Sequence, residues 1–260
     1  MHLLIIISVL NNSSGLLRSF LSLQLQNCSN FTLRIQDPLD QSSSSSLFTL
    51  LEDITFSLEV DHTKDNGISH SFNIALLNTQ SLWSHALFLG AGDTLATPNA
   101  VSQIYEVLFL RRDCFLHAFA VNRTSMSGNV YYIDNPQKAK WFQLAYKNIF
   151  PHQGLVTSKQ FFELYGLFSQ QCIFSMDYEL LLRSFRSFPT YSTHGYVVSN
   201  WIEGGIGTGK TILVLAEYCR NRSRSGAFSV FTSRFIYLLS ILSLCKKKFF
   251  TFIKILVWPC

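Results

Sequence analysis

Gly204, Gly205, Ile206, Gly207, Thr208, Gly209, Lys210 and Thr211 form one unbroken run that satisfies G-x-x-x-x-G-K-[ST]. The chemistry open to such a run is phosphate binding. Glycines let successive backbone N–H groups turn inward and form an anion-holding concavity at the start of a helix. Lys210 would then reach the β and γ phosphates of a nucleoside triphosphate, and the Thr211 hydroxyl would ligate its Mg2+.

A phosphate loop needs a strand before it and a helix after it. Ile212, Leu215, Ala216 and Cys219 recur at i, i+3, i+4 and i+7, an apolar stripe suited to a helix lying on a sheet. Upstream, Tyr196, Val197, Val198, Trp201 and Ile202 read as strand. Ser199 and Asn200 interrupt it where a doubly buried parallel strand is ordinarily apolar throughout. The string from Ile202 to Thr211 resembles the P-loop NTPase superfamily, and its wording is most similar to superfamily 1 helicases and Schlafen-type helicase-like ATPase domains. The resemblance implies ATP and Mg2+ as cofactors and all eight residues as nucleotide contacts, with Thr211 the metal contact. It also implies nucleic acid as the partner of a helicase-like parent.

Hydrolysis is not expected of the chain as written. It requires a later carboxylate to hold the metal and position water, yet no Asp or Glu follows Glu217. Nor does the remainder suffice for a nucleotide-hydrolysing domain of about 100–200 residues. Residues 226–260 are rich in Phe, Leu, Ile, Ser and Lys, which reads as a tail outside the native coding sequence. Lys246, Lys247 and Lys248 split its apolar residues into stretches too short to span a bilayer, so a membrane partner is not expected.

With 48% hydrophobic and 14% charged residues the chain can fill a core, which excludes a disordered protein. The net charge of +5 gathers after Glu217 and is therefore poor support for nucleic-acid binding elsewhere. Cys28, Cys114, Cys172, Cys219, Cys245 and Cys260 show no C-x-x-C spacing and read as reduced thiols. Residues 3–10 outline a signal-peptide apolar region, but a basic leader and a small-residue cleavage site are missing. The phosphate loop favours the cytoplasm or nucleus over secretion.

The expected fold class is mixed α/β, an N-terminal α+β module followed by the start of an incomplete P-loop α/β domain. Residues 1–46 read as a leader with a serine linker at 42–46, residues 47–150 as the α+β module and residues 151–190 as a helical connector. Residues 191–225 would be the first βα unit of the P-loop domain. Within the module, the alternation of Ile54, Phe56, Leu58 and Val60 predicts a strand, and Asp65-Asn66-Gly67 a turn into a hairpin partner at 68–77. Pro98 predicts a helix with Val101, Ile104, Tyr105 and Leu108 on one face, followed by strands at 115–121 and 130–133. Helices are predicted over 135–149, 157–170 and 175–188.

Glu59 and Asp61, near His62 and His70, are a weak metal-site candidate beside the plainer reading of solvated edge residues. His85 and His117 read as core histidines, and Gly90-Ala91-Gly92-Asp93 as a turn. Two functional classes follow: an ATP-binding fragment of a helicase-like ATPase, or a non-enzymatic scaffold carrying a vestigial loop.

Overall fold

The computed structural model describes residues 1–38 and 54–257, with side chains over 1–38 and 54–246. The apolar run near the N-terminus is strand β1 (Leu3–Ser8), paired in parallel with β2 (Phe31–Gln36) on one side and β4 (His85–Gly90) on the other. This corrects the expected leader: the run is continuously apolar because both faces of β1 are covered. Leu3, Ile5 and Ile7 pack with Leu16 and Phe20 of helix α1 (Ser13–Gln24) and with Ile104 and Leu108 of α3 (Ala100–Leu110). Leu4 and Ile6 pack on the opposite face with Phe72, Ala75 and Leu76 of α2 (Ile68–Asn78).

Strand β3 (Ser57–Asp61) lies parallel to β2, and residues 68–77 form α2 instead of a hairpin partner. Phe72, Ala75 and Leu76 recur at i, i+3 and i+4, so the helical period prevails over the turn signal. The serine linker at 42–46 lies outside the described residues. Strands β6 (Leu116–Thr124) and β7 (Val130–Asp134) occur as predicted, joined through a turn at Gly128, where φ is +86°. The predicted helix over 135–149 is replaced by two 3-10 turns, Pro136–Lys138 and Trp141–Ala145. Thr157 belongs to β8 (Leu155–Ser158), and Ser158 caps the following α4 (Lys159–Tyr165) by accepting from the Phe161 N–H at 3.2 Å. The last predicted helix of the connector shortens to α5 (Met176–Arg183).

With β5 (Thr94–Leu95) and β9 (Tyr191–Ile202), one sheet runs β3-β2-β1-β4-β8-β6-β9-β5, and β7 lies beside β6. Strands from either side of residues 47, 150 and 190 therefore pair, and the expected modular boundaries fall inside a single sheet. Ser199 and Asn200 do not break β9, because each spends its polar group on a partner that the fold brings alongside. Ser199 Oγ donates to the Gln153 carbonyl at 2.7 Å, and Asn200 bonds Asn122 and Thr94.

Gly154 shows how closely the 3-10 turn His152–Gly154 meets β6. A Cβ there would stand 2.5 Å from the Phe119 carbonyl oxygen and 2.6 Å from Val121 Cγ2. Gly154→Ala is expected to lower stability by about 1–3 kcal/mol, measured as a shift in denaturant midpoint at unchanged slope.

Helix α6 (Thr211–Arg224) packs on α5 and α7 (Val230–Val257). Its expected apolar stripe does not face a sheet: Ile212 is 54% exposed, and the buried residues are Glu217, Asn221 and Arg222. No helix among the described residues is long and apolar enough to cross a membrane.

Candidate functional site

The parallel half of the sheet reverses direction at β1. From β1 the chain moves outward through α1 to β2 and β3, then returns through α2, on the other face, to β4 on the far side of β1. In open α/β sheets that reversal opens a crevice beyond the carboxyl ends of the two central strands, where ligands bind. Here the crevice is bordered by the segment after β1, carrying Asn11 and Asn12, and by Gly90-Ala91-Gly92-Asp93 at the end of β4.

These borders are tied together. Asn12 caps α1 by accepting from the Gly15 N–H at 3.0 Å, while its Nδ2 donates to the Ala91 carbonyl at 2.7 Å. Its neighbour Asn11 takes a left-handed φ of +49°, which asparagine tolerates better than most residues. Gly92 has φ +117°, and its N–H donates to Ser19 Oγ at 2.9 Å. Asp93 is buried; its Oδ2 accepts from the Gly90 N–H at 2.9 Å and its Oδ1 from the Ile202 N–H at 3.1 Å. Burial raises the Asp93 carboxyl to about 6, with the N–H bonds of Gly90 and Ile202 and the Gln153 side chain pulling the other way.

Beyond Gln153, the His152 ring stacks on Phe88 of β4 at 5.4 Å. His152, Phe88, Thr157 and Asp177 help line a cavity of about 10 Å³, the size of a single water. Asp177, in the first turn of α5, accepts from Asn148 Nδ2 at 2.6 Å. Sequence reasoning missed Asp177 and gave Asp93 only a turn, because neither sits in a recognisable motif.

The glycine-rich run lies elsewhere, between the end of β9 and α6. All of it but Gly207 is exposed, and two of its backbone N–H groups close turns within the loop. The Thr208 N–H donates to the Gly205 carbonyl at 2.9 Å and the Lys210 N–H to the Gly207 carbonyl at 3.0 Å. Lys210 Nζ stands 5.5 Å from the Phe174 ring centroid. Gly209, Lys210, Thr211, Ile212, Leu213 and Leu244 border an open groove of about 250 Å³.

Other sequence candidates resolve as structural. Arg34 of β2 bonds Glu59 at 3.1 Å and also Asp61, so those carboxylates serve an ion triad and not a metal. His62 bonds the Asp37 carbonyl, and His70 accepts from the Asn66 N–H. His117 is a core residue as expected, whereas His85 is half-buried at the start of β4; their rings lie 5.7 Å apart, and burial lowers them to about 3 and about 4 respectively. Cys28, Cys114, Cys172, Cys219 and Cys245 are free thiols.

The sequence matches no known family profile. No curated protein matches it either. Solved structures do match its fold. TarS residues 1–349 from S. aureus, in complex with UDP-GlcNAc, superimposes with a TM-score of 0.66 at 10% identity, covering 91% of this chain and 70% of that one. The UDP complex of the same protein gives 0.60 at 9% identity, covering 91% and 70%. The mannosyltransferase PcManGT from Pyrobaculum calidifontis, in complex with GDP-Man and Mn2+, gives 0.62 at 12% identity, covering 98% and 80%.

These neighbours are GT-A-like glycosyltransferases with a curled mixed sheet, and at such identities the likeness is one of fold. It overturns the P-loop NTPase and helicase resemblance and, with it, ATP binding through that loop, and it lends no support to a nucleic-acid partner. The physical reason is visible in α6. A phosphate-loop helix must dock on the sheet that aims its N-terminus, whereas α6 docks on helices and leaves Ile212 and Leu213 exposed.

The Mn2+ of the mannosyltransferase complex raises the question of a divalent ion here. In the turn directly after β4, Ala91-Gly92-Asp93, the carboxylate is Asp93, both of whose oxygens already accept backbone N–H groups. Among the described residues no three His, Cys, Asp or Glu converge as a metal would require. The donor set in view does not fit a divalent ion.

Proposed function

We propose that this chain binds a nucleoside diphosphate sugar in the crevice between β1 and β4, as the donor-binding unit of a glycosyltransferase-type protein. One observation carries the reading: the sheet reverses at β1, and the solved chains sharing this architecture hold UDP-GlcNAc or GDP-Man. The fold alone does not imply the function. What supports it locally is a crevice whose borders are fastened by Asn12, Ser19 and Asp93.

The glycine-rich loop of Gly204, Gly205, Ile206, Gly207, Thr208, Gly209, Lys210 and Thr211 takes a secondary part in this proposal. It begins just beyond Ile202, whose N–H Asp93 holds, and brings the Lys210 ammonium near the segment that leads into α5. Through its tie at Ile202 the loop would reach toward the diphosphate of the same ligand.

Isothermal titration of the whole chain with UDP-GlcNAc, GDP-Man and ATP tests the reading. One of the two nucleotide sugars is expected to bind with a dissociation constant below about 1 mM, and ATP not to bind. Lys210→Ala is expected to weaken that affinity severalfold. Failure of both sugars to bind would sink the proposal; an affinity indifferent to Lys210→Ala would remove only the loop from it.

A further inference from the structure

We propose that the crevice neutralises its ligand's diphosphate with Arg18 instead of a divalent cation, an inference that rests on the nucleotide-sugar reading above. Asp93, the carboxylate of the turn after β4, is 6% exposed, and both of its oxygens are held inward by the Gly90 and Ile202 N–H groups, so it presents little to an ion in the crevice.

The rest of the turn offers no replacement carboxylate and has little space for one. A Cβ on Gly90 would stand 3.2 Å from Asp93 Oδ2, so an acidic side chain there would start against an existing carboxylate. Gly92, with φ +117°, holds a backbone conformation that side chains rarely adopt. The turn is shaped by side-chain-free positions where a cation site would need donors.

Arg18 meets the electrostatic need from the other border. Its Nη2 lies 4.0 Å from the position a Gly92 Cβ would take. It is exposed, and none of the ion pairs among the described residues includes it. Helix α1 holds it in register with the turn through Asn12 Nδ2 donating to the Ala91 carbonyl and Ser19 Oγ accepting from the Gly92 N–H. A guanidinium presents forked donors to phosphate oxygens without a metal's demand for several anionic ligands.

The test is calorimetric titration of the full chain with UDP-GlcNAc and GDP-Man at low salt, once in EDTA and once with MnCl2. Wild type, Arg18→Gln and Arg18→Lys are compared, and circular dichroism checks that each is folded. The expected result is equal affinity in the two buffers, a loss of about tenfold or more in Arg18→Gln, and partial recovery in Arg18→Lys. Affinity that appears or rises strongly only with Mn2+ would overturn the inference and leave the nucleotide-sugar reading standing. Unchanged affinity in a folded Arg18→Gln would likewise overturn it. Binding of neither sugar in either buffer would instead overturn the nucleotide-sugar reading, and this inference with it. Electron paramagnetic resonance of Mn2+ with the protein alone gives a readout independent of ligand: an undiminished free-ion signal is expected, and its loss counts against the proposal.

Discussion

Glu217→Ala is expected to lower the stability of the chain by about 3–5 kcal/mol, a large share of the 5–15 kcal/mol that holds a typical domain together. Glu217 is buried on α6, and its carboxylate accepts from the backbone N–H groups of Ile173, Phe174 and Ser175 at 3.0, 2.9 and 2.8 Å. The Ser175 hydroxyl adds a fourth bond at 2.7 Å. These donors precede α5, so the negative charge also sits at the favourable end of that helix. Removing the carboxylate strands the donors and frees the segment that leads into Asp177. Glu217→Gln is expected to cost less, since an amide oxygen still accepts but its nitrogen faces the same N–H groups.

The pH dependence checks the same interaction. Burial acts to raise the Glu217 carboxyl, but the Ser175 hydroxyl and the three backbone N–H groups outweigh it and leave it below its ordinary value. A carboxyl lowered in the folded state contributes stability above the unfolded value and loses it as pH falls through the folded one. Urea midpoints should therefore drop in acid for wild type, and drop less steeply for Glu217→Ala. Equal acid slopes for the two would contradict the assignment.

Asp93 should give the opposite sign. Its carboxyl rises from 3.8 to about 6 on folding, chiefly through burial. The folded state then binds the proton more tightly than the unfolded chain, so this group's contribution is present below pH about 4 and lost as pH rises through about 6. The difference amounts to about 3 kcal/mol. Asp93→Asn is expected to abolish this part of the profile. It also places an amide nitrogen against the Gly90 or Ile202 N–H, which lowers stability at acid pH by about 1–3 kcal/mol. The measurement is chemical denaturation of both proteins between pH 4 and 7; a parallel pair of curves would refute the role given to Asp93.

Much of the secondary structure was legible because it depends on local chemistry. The α3 face of Val101, Ile104 and Leu108, the β6–β7 hairpin around Gly128, and the burial of His117 follow from period, turn type and flanking apolarity. The failures share another cause. Ile5 and its neighbours were read as a leader because a strand buried on both faces carries the same signature as any short apolar run. Ser199 and Asn200 counted against β9 because their partners, Gln153, Asn122 and Thr94, are far away in sequence.

The run from Gly204 to Thr211 is the sharpest case. Its residue types satisfy a phosphate-loop pattern, but a cradle depends on backbone N–H groups being free and on a helix lying against a sheet, and those are tertiary properties. Here the Thr208 and Lys210 N–H groups close turns within the loop, and α6 turns Glu217 and Asn221 inward towards the segment before α5. By itself the sequence determined a core-filling chain of mixed α and β composition and several of its helices and strands, because side-chain period and turn residues act over a few positions. Only the tertiary structure decided that β1 lies inside one sheet between β2 and β4, that the crevice opens between β1 and β4, and that Asp93 and Arg18 both border it. Those facts depend on strand order and on contacts between residues up to about a hundred positions apart, which no local pattern encodes.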